Sequence, residues 1–225
     1  MGQLILVAAS GLAREVLASL RAAGKDQVVG FLDDDPALAG TLQGGVPVLG
    51  PLSEAGKYPD VRFVICAGKG AIRERIAYQL ADLGVGAGRF ATVIAATATV
   101  PDGTAVGEGS ILLANVVLTA DVRVGRHVVI MPQVTLTHDC ELEDFATLTA
   151  GVSLGGGVRI GRGAYLGMNS SVRERRTIGA GATVGMGAAV VHDVPSGETW
   201  VGVPARPLAT MGREADRRVE LGRLG

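Results

Sequence analysis

One of the three histidines in the chain, His138, offers chemistry through its neighbours. It stands in Leu136-Thr137-His138-Asp139-Cys140, so a carboxylate follows the imidazole directly. A carboxylate there can orient the ring and stabilise its protonated form, which is what a general base acting on an amine or hydroxyl requires. A second group of polar residues lies near the N-terminus. Ser10-Gly11 precedes a run with helical spacing, where backbone N–H groups favour phosphate oxygens. Asp33 and Asp34 end a strand-like run, where carboxylates can accept from ribose hydroxyls or a base N–H. Gly68-Lys69-Gly70, with Arg73 close behind, adds a third loop. The dinucleotide fingerprint is absent, because Ala8 to Ala13 hold a single glycine. Zinc would need His127, His138 and His192 together, and their spacing separates them; no metal is expected.

The elements that must position these residues fall into two patterns. Leu4 to Ala8, Val28 to Leu32 and Val61 to Cys66 read as strands, with helices through about Ala23 and from Ala71 to Asp82. That alternation predicts a small parallel α/β sheet whose ligand crevice lies at the carboxyl ends of its strands, with Gly40 to Pro51 as a Gly/Pro-rich connection. From Ile94 to Val190 the pattern changes, and every sixth residue is aliphatic. A period of six is out of phase with a helix of about 3.6 residues per turn. It fits short strands joined by tight turns, the signature of a β-solenoid. Four residues after each aliphatic comes a second, mostly small inward position, such as Val128, Cys140 or Ala164. Arg176 falls in that slot, which predicts a local bulge. Glycines directly after the aliphatic (Gly107, Gly125, Gly155, Gly161, Gly167, Gly179, Gly185) are expected where turns need a permissive backbone.

The repeat resembles the hexapeptide repeat of left-handed parallel β-helices, in which three hexads make one coil. The order ILVAASGLAREVLASLRAAG, VVGFLDDDP, FVICAGKGAIRERIA, THDCELEDF and WVGVPARPL resembles the sialic-acid O-acetyltransferase and UDP-4-amino-sugar N-acetyltransferase group. The fold expected is an N-terminal Rossmann-like α/β domain at 1–90, a left-handed β-helix at 91–208 and a charged tail at 209–225. The resemblance implies acetyl transfer from acetyl-CoA to an amine or hydroxyl of a nucleotide-linked amino sugar, with UDP in the N-terminal crevice and a homotrimer as the assembly. It makes His138 the base, Asp139 its partner and Gly156, one coil on, the donor to the thioester oxygen. Thr147, Gly155, Met168, Gly185, Gly187 and Pro204 map to the acetyl-CoA groove; Ser10, Gly11, Asp33, Asp34, Gly68 and Arg73 map to the nucleotide sugar. Leu12, Ala13 and Thr147 depart from the family pattern, which commonly has His, Gly and His there. A β-helix that binds the nucleotide sugar without catalysis is the alternative reading.

A net charge of −1 and a pI near 6.3 give no reason to expect nucleic acid or an anionic membrane surface. The longest apolar runs, such as Leu4 to Ala9, are too short to span a bilayer. Cys66 and Cys140 fall in separate domains, which predicts reduced thiols in a cytoplasm.

Overall fold

In the computed structural model, residues 2–208 are described; the expected charged tail at 209–225 lies outside them. The N-terminal unit runs β1 (Gly2–Val7), α1 (Gly11–Ala23), β2 (Asp26–Leu32), β3 (Leu42–Gln43), β4 (Val46–Gly50), β5 (Arg62–Ile65) and α2 (Gly70–Asp82). Its sheet has the order β3-β4-β2-β1-β5, parallel except for the β3–β4 hairpin. Leu4 to Val7 are fully buried because β1 is covered on both sides, so the strand is continuously apolar. The expected Gly40–Pro51 connection is thus partly strand. Gly44 and Gly45 both adopt positive φ, the backbone that a two-residue hairpin turn demands.

Helix α1 begins at Ser10, whose hydroxyl accepts from the Ala13 N–H at 3.2 Å, and ends at Gly24 in the left-handed region. Leu12, Ala13, Val16, Leu17 and Leu20 form its buried face. Leu12 and Ala13, which stand where the resembled family commonly has His and Gly, are core residues here.

From Val93 onward the chain winds into a left-handed β-helix with two-residue strands. Up to Ala189–Val190 each pairs in parallel with the strand eighteen residues away, as Arg123–Val124 does with Glu141–Leu142, and the last coil closes in sixteen, with Thr183 opposite Thr199. The first face holds the strands at Ala105, Arg123, Glu141, Arg159 and Thr177; the second those at Val93, Ile111, Val129, Thr147, Tyr165, Thr183 and Thr199; the third those at Val117, Thr135, Ser153, Ser171 and Ala189. The aliphatic series from Leu112 to Val190 fills the interior as expected. Ile94 is the exception at 42% exposed, because no coil lies beneath the first turn.

Two expectations about the turns are corrected. Every sixth residue from Gly103 to Gly187 has φ between +53° and +81°, but these are not the glycines directly after the aliphatic. Those glycines are present for space. A Cβ on Gly125 would lie 2.7 Å from the Asp144 nitrogen, and one on Gly161 2.6 Å from that of Ala180. The bulge at Arg176 is also absent. Thr177–Ile178 pairs in register with Arg159–Ile160, and the Arg176 side chain leaves the interior to meet Asp193 at 3.6 Å.

The two units share a core. Ile111, Leu113 and Val129, all on the outer surface of the second face, join Leu6, Leu12 and Val16 in one buried cluster, with Met131 packed against it. Trp200 and Ala205 close the last coil, and Arg206–Pro207 pairs antiparallel with the strand at Thr199.

Candidate active site

His138 and Asp139 sit in the turn between the third and first faces. In a strand, successive side chains point to opposite sides, so sequence neighbours could not pair. Asp139 adopts φ +62°, and this left-handed turn brings its Oδ2 to 2.7 Å from His138 Nδ1. Backbone bonds hold the turn from both sides: Asp139 donates to the Ala120 carbonyl and Gly157 to that of His138, at 3.0 and 2.8 Å. Both side chains are about two-thirds exposed (66% and 65%), so the ring is reachable from solvent, and Nε2 has its lone pair available when Nδ1 carries the proton.

Gly156 lies one coil on. A Cβ there would be 2.4 Å from His138 Nε2, so the ring occupies the space that a side chain would fill. Its N–H donates to no group among the described residues. A base nitrogen and a spare backbone donor therefore share one patch of the edge, where one can take a proton while the other meets a developing oxyanion. Gly155 packs against the next coil, with Glu174 N 2.6 Å from where its Cβ would be. His192 is on the same edge three coils on, whereas His127 is on another edge.

The remaining residues expected at the groove are dispersed. Met168, Gly185 and Gly187 lie on the edge between the second and third faces, where Met168 and Met186 are 49% and 73% exposed. Pro204 is exposed in the closing loop. Thr147 is a correction: it is buried under the N-terminal unit, accepts from Arg73 at 2.9 Å and donates to the Gly68 carbonyl at 3.0 Å, so it lines no groove.

At the N-terminal crevice, Ser10 Oγ donates to the Cys66 carbonyl at 2.6 Å, while Gly11 opens α1 at the surface. Asp33 accepts from Ala9 N–H at 2.7 Å and from Asp35 N–H at 2.9 Å, which shapes the loop. Asp34 accepts from Leu52 N–H through Oδ1 at 2.8 Å, and its Oδ2 has no partner among the described residues. Arg73 is the second correction. It is fully buried, and its N–H groups donate to backbone carbonyls and Thr147, so nothing is left for a ligand. Arg75, which sequence reasoning missed, stands at the crevice instead. Its exposed guanidinium joins Ala8, Asp33, Asp34, Leu52, Ile76 and Gln79 around a cavity of about 290 Å³ at the carboxyl ends of β1 and β2.

Residues 3–80 match the PglD N-terminal domain family. Among solved structures, a perosamine N-acetyltransferase variant from Caulobacter crescentus, in complex with CoA and GDP-perosamine, superposes with a TM-score of 0.86 at 30% identity, covering 93% of this chain and 98% of that one. The acetyltransferase domain of PglB from Neisseria gonorrhoeae, in complex with acetyl coenzyme A, gives 0.84 at 31% identity over 92% and 98%. WeeI from Acinetobacter baumannii gives 0.67 at 27% over 92% and 100%. The chain belongs to the hexapeptide-repeat nucleotide-sugar acetyltransferases. No curated protein matches it. As a member of this family it is an acetyl-CoA-dependent sugar acetyltransferase. Among its described residues no helix is long and apolar enough to cross a membrane.

Proposed function

We propose that the chain transfers acetyl from acetyl-CoA to the amine of a nucleotide-linked amino sugar, a UDP-sugar by the family resemblance, with His138 as general base. The observation that carries this reading is the His138–Asp139 pair at 2.7 Å, seated over Gly156. Nε2 takes a proton from the acceptor amine as its nitrogen attacks the thioester carbonyl. The Gly156 N–H meets the oxyanion that forms. As the C–S bond breaks, the proton passes from His138 to the departing sulfur. Asp139 accepts from Nδ1–H throughout and balances the imidazolium. General-base catalysis of this kind contributes about 10²–10⁴-fold, and one oxyanion donor about 3 kcal/mol.

The acceptor's nucleotide occupies the crevice at Asp34, Arg75 and Gln79, where an uncommitted carboxylate oxygen and an exposed cation suit a base N–H and a diphosphate. Met168 and Met186 give the second-to-third edge an apolar stripe fitted to the pantetheine arm. Because this stripe and His138 lie on different edges of one prism, a complete site needs two copies side by side, which supports the homotrimer. Acetyl-CoA and nucleotide sugars are cytoplasmic metabolites, and both cysteines are free thiols, which favours that compartment. A module that only held the sugar would have no use for a paired histidine over a glycine.

The test is thiol release from acetyl-CoA with a panel of UDP- and GDP-linked amino and hydroxy sugars, using wild type and His138→Ala. Turnover with one amino sugar that falls at least about 100-fold in the variant, with CoA binding retained, is the expected result. Equal turnover in both proteins would remove His138 from the mechanism.

A further inference from the structure

Arg73 carries a buried positive charge that touches no carboxylate among the described residues. Its Nε donates to the His127 carbonyl at 2.9 Å. Nη1 donates to Ala67 and Gly68 carbonyls at 2.8 and 2.9 Å. Nη2 reaches the Phe145 and Ala146 carbonyls and Thr147 Oγ1 at 2.7, 2.9 and 2.9 Å. His127 and Phe145 are the left-handed residues of successive coils on one edge, and their carbonyls have no other partner among the described residues. The planar fork thus reads two coils and the loop after β5 at once. Thr147 closes the ring by donating to Gly68 at 3.0 Å. The loop that follows is set flush on the β-helix, since a Cβ on Gly70 would lie 2.2 Å from the Phe145 carbonyl oxygen.

We propose that Arg73 is a positioning residue for acetyl transfer: it fixes the register of the Ala67–Gly70 loop, and so of the nucleotide-sugar crevice, against the helix that carries His138. The inference rests on the function proposed above. Holding the units together falls to other contacts, namely the shared apolar cluster and the Glu74–Arg162 ion pair at 2.6 Å, so losing Arg73 shifts the register more than it separates the units. Lysine cannot substitute, because an ammonium has three N–H donors and cannot serve the six acceptors that the guanidinium fork reaches.

The test uses full-length Arg73→Ala and Arg73→Lys, with Thr147→Val as a milder variant that keeps the fold if the first two do not. The expected result is a fall in kcat for the nucleotide sugar of about 100-fold in the arginine variants, with the KM for acetyl-CoA unchanged. Methylguanidinium ion restores turnover in Arg73→Ala, and lysine does not. Thr147→Val loses less, in the same direction. Unchanged kcat in a folded variant, or a loss expressed in the KM for acetyl-CoA, would overturn the proposal. Hydrogen exchange separates its failure from that of the function: faster exchange confined to residues 67–70 supports the positioning role even if no acceptor in the panel is acetylated by wild type. Unchanged exchange there refutes it.

Discussion

Two edges of the same β-helix present a histidine against a glycine of the adjacent coil, and they have opposite fates. At the edge between the first and second faces, His127 is 6% exposed, lies between Phe90 and Phe145 with ring centroids at 4.6 and 5.1 Å, and has a buried Nδ1 with no partner. Desolvation, with help from Arg73 and Arg126, pushes its pKa down to about 4, so it is a neutral aromatic packing element. At the third-to-first edge, His138 is open to solvent and paired with Asp139. The two stand one position apart in the turn, since His127 is its left-handed residue and His138 precedes the left-handed Asp139. The covering differs as well: α2 and its loop seal the first edge, and no described residue seals the other. The role proposed for His138 depends on its being left uncovered beside an acid.

Two glycine substitutions sharpen the contrast. Gly156→Ala places a methyl 2.4 Å from His138 Nε2, where the side chain can swing away at little energetic cost to the fold. Turnover is expected to fall about 100-fold, read by thiol release, with a melting temperature within a few degrees of wild type. Gly109→Ala places a methyl 2.4 Å from His127 Nδ1, in a ring that cannot move, and at φ +73°. It is expected to destabilise by about 2 kcal/mol in denaturant titration while activity per folded molecule is kept.

The pH dependence of stability breaks the comparison in a different way. Because folding lowers the basicity of His127, the unfolded chain binds the extra proton between about pH 6.5 and 4. Stability is therefore full above pH 6.5 and declines as pH falls toward 4. His127→Asn, whose side chain tolerates positive φ, is expected to flatten this slope by on the order of 1 kcal/mol between pH 7 and 5, measured by thermal unfolding across that range. The smallest effect belongs to the first face, where Glu141 bridges Arg123 and Arg159 at 3.4 and 3.8 Å among largely exposed side chains. Glu141→Gln is expected to change stability by less than about 1 kcal/mol, and less still in high salt.

The period of six, the inward aliphatics and the stacking of Gly156 on His138 were legible because a solenoid turns sequence distance directly into spatial distance. The interface between the units was not, because its contacts join residues such as Arg73 and Thr147 that are far apart in the chain. Some of it had a local trace. Arg73 shares its helix face with Ile76 and Leu80, which are both buried, and so it could not reach solvent as Arg75 does. The outward positions of the second face, Ile111, Leu113, Val129 and Met131, are apolar where those of the first carry Arg123, Glu141 and Arg159. That asymmetry marks the surface on which the N-terminal unit docks. The glycines after each aliphatic misled because loss of a side chain serves both conformation and clearance, and the string of letters does not say which.

The eighteen-residue pairing that runs from Val93 to Val190 also constrains how this stretch can change length. Removing one residue between His138 and Gly156 would put the later aliphatics of the stretch out of register with the interior, so within it whole coils are the unit of change. A coil added beyond Val172 would lengthen the prism and leave the His138–Gly156 contact intact. The same coil inserted between Leu142 and Leu154 would set the two apart by a full step, and the proposed proton acceptor and oxyanion donor would no longer share a substrate. On that proposal the edge can lengthen only in quanta, with one interval of the chain closed to insertion.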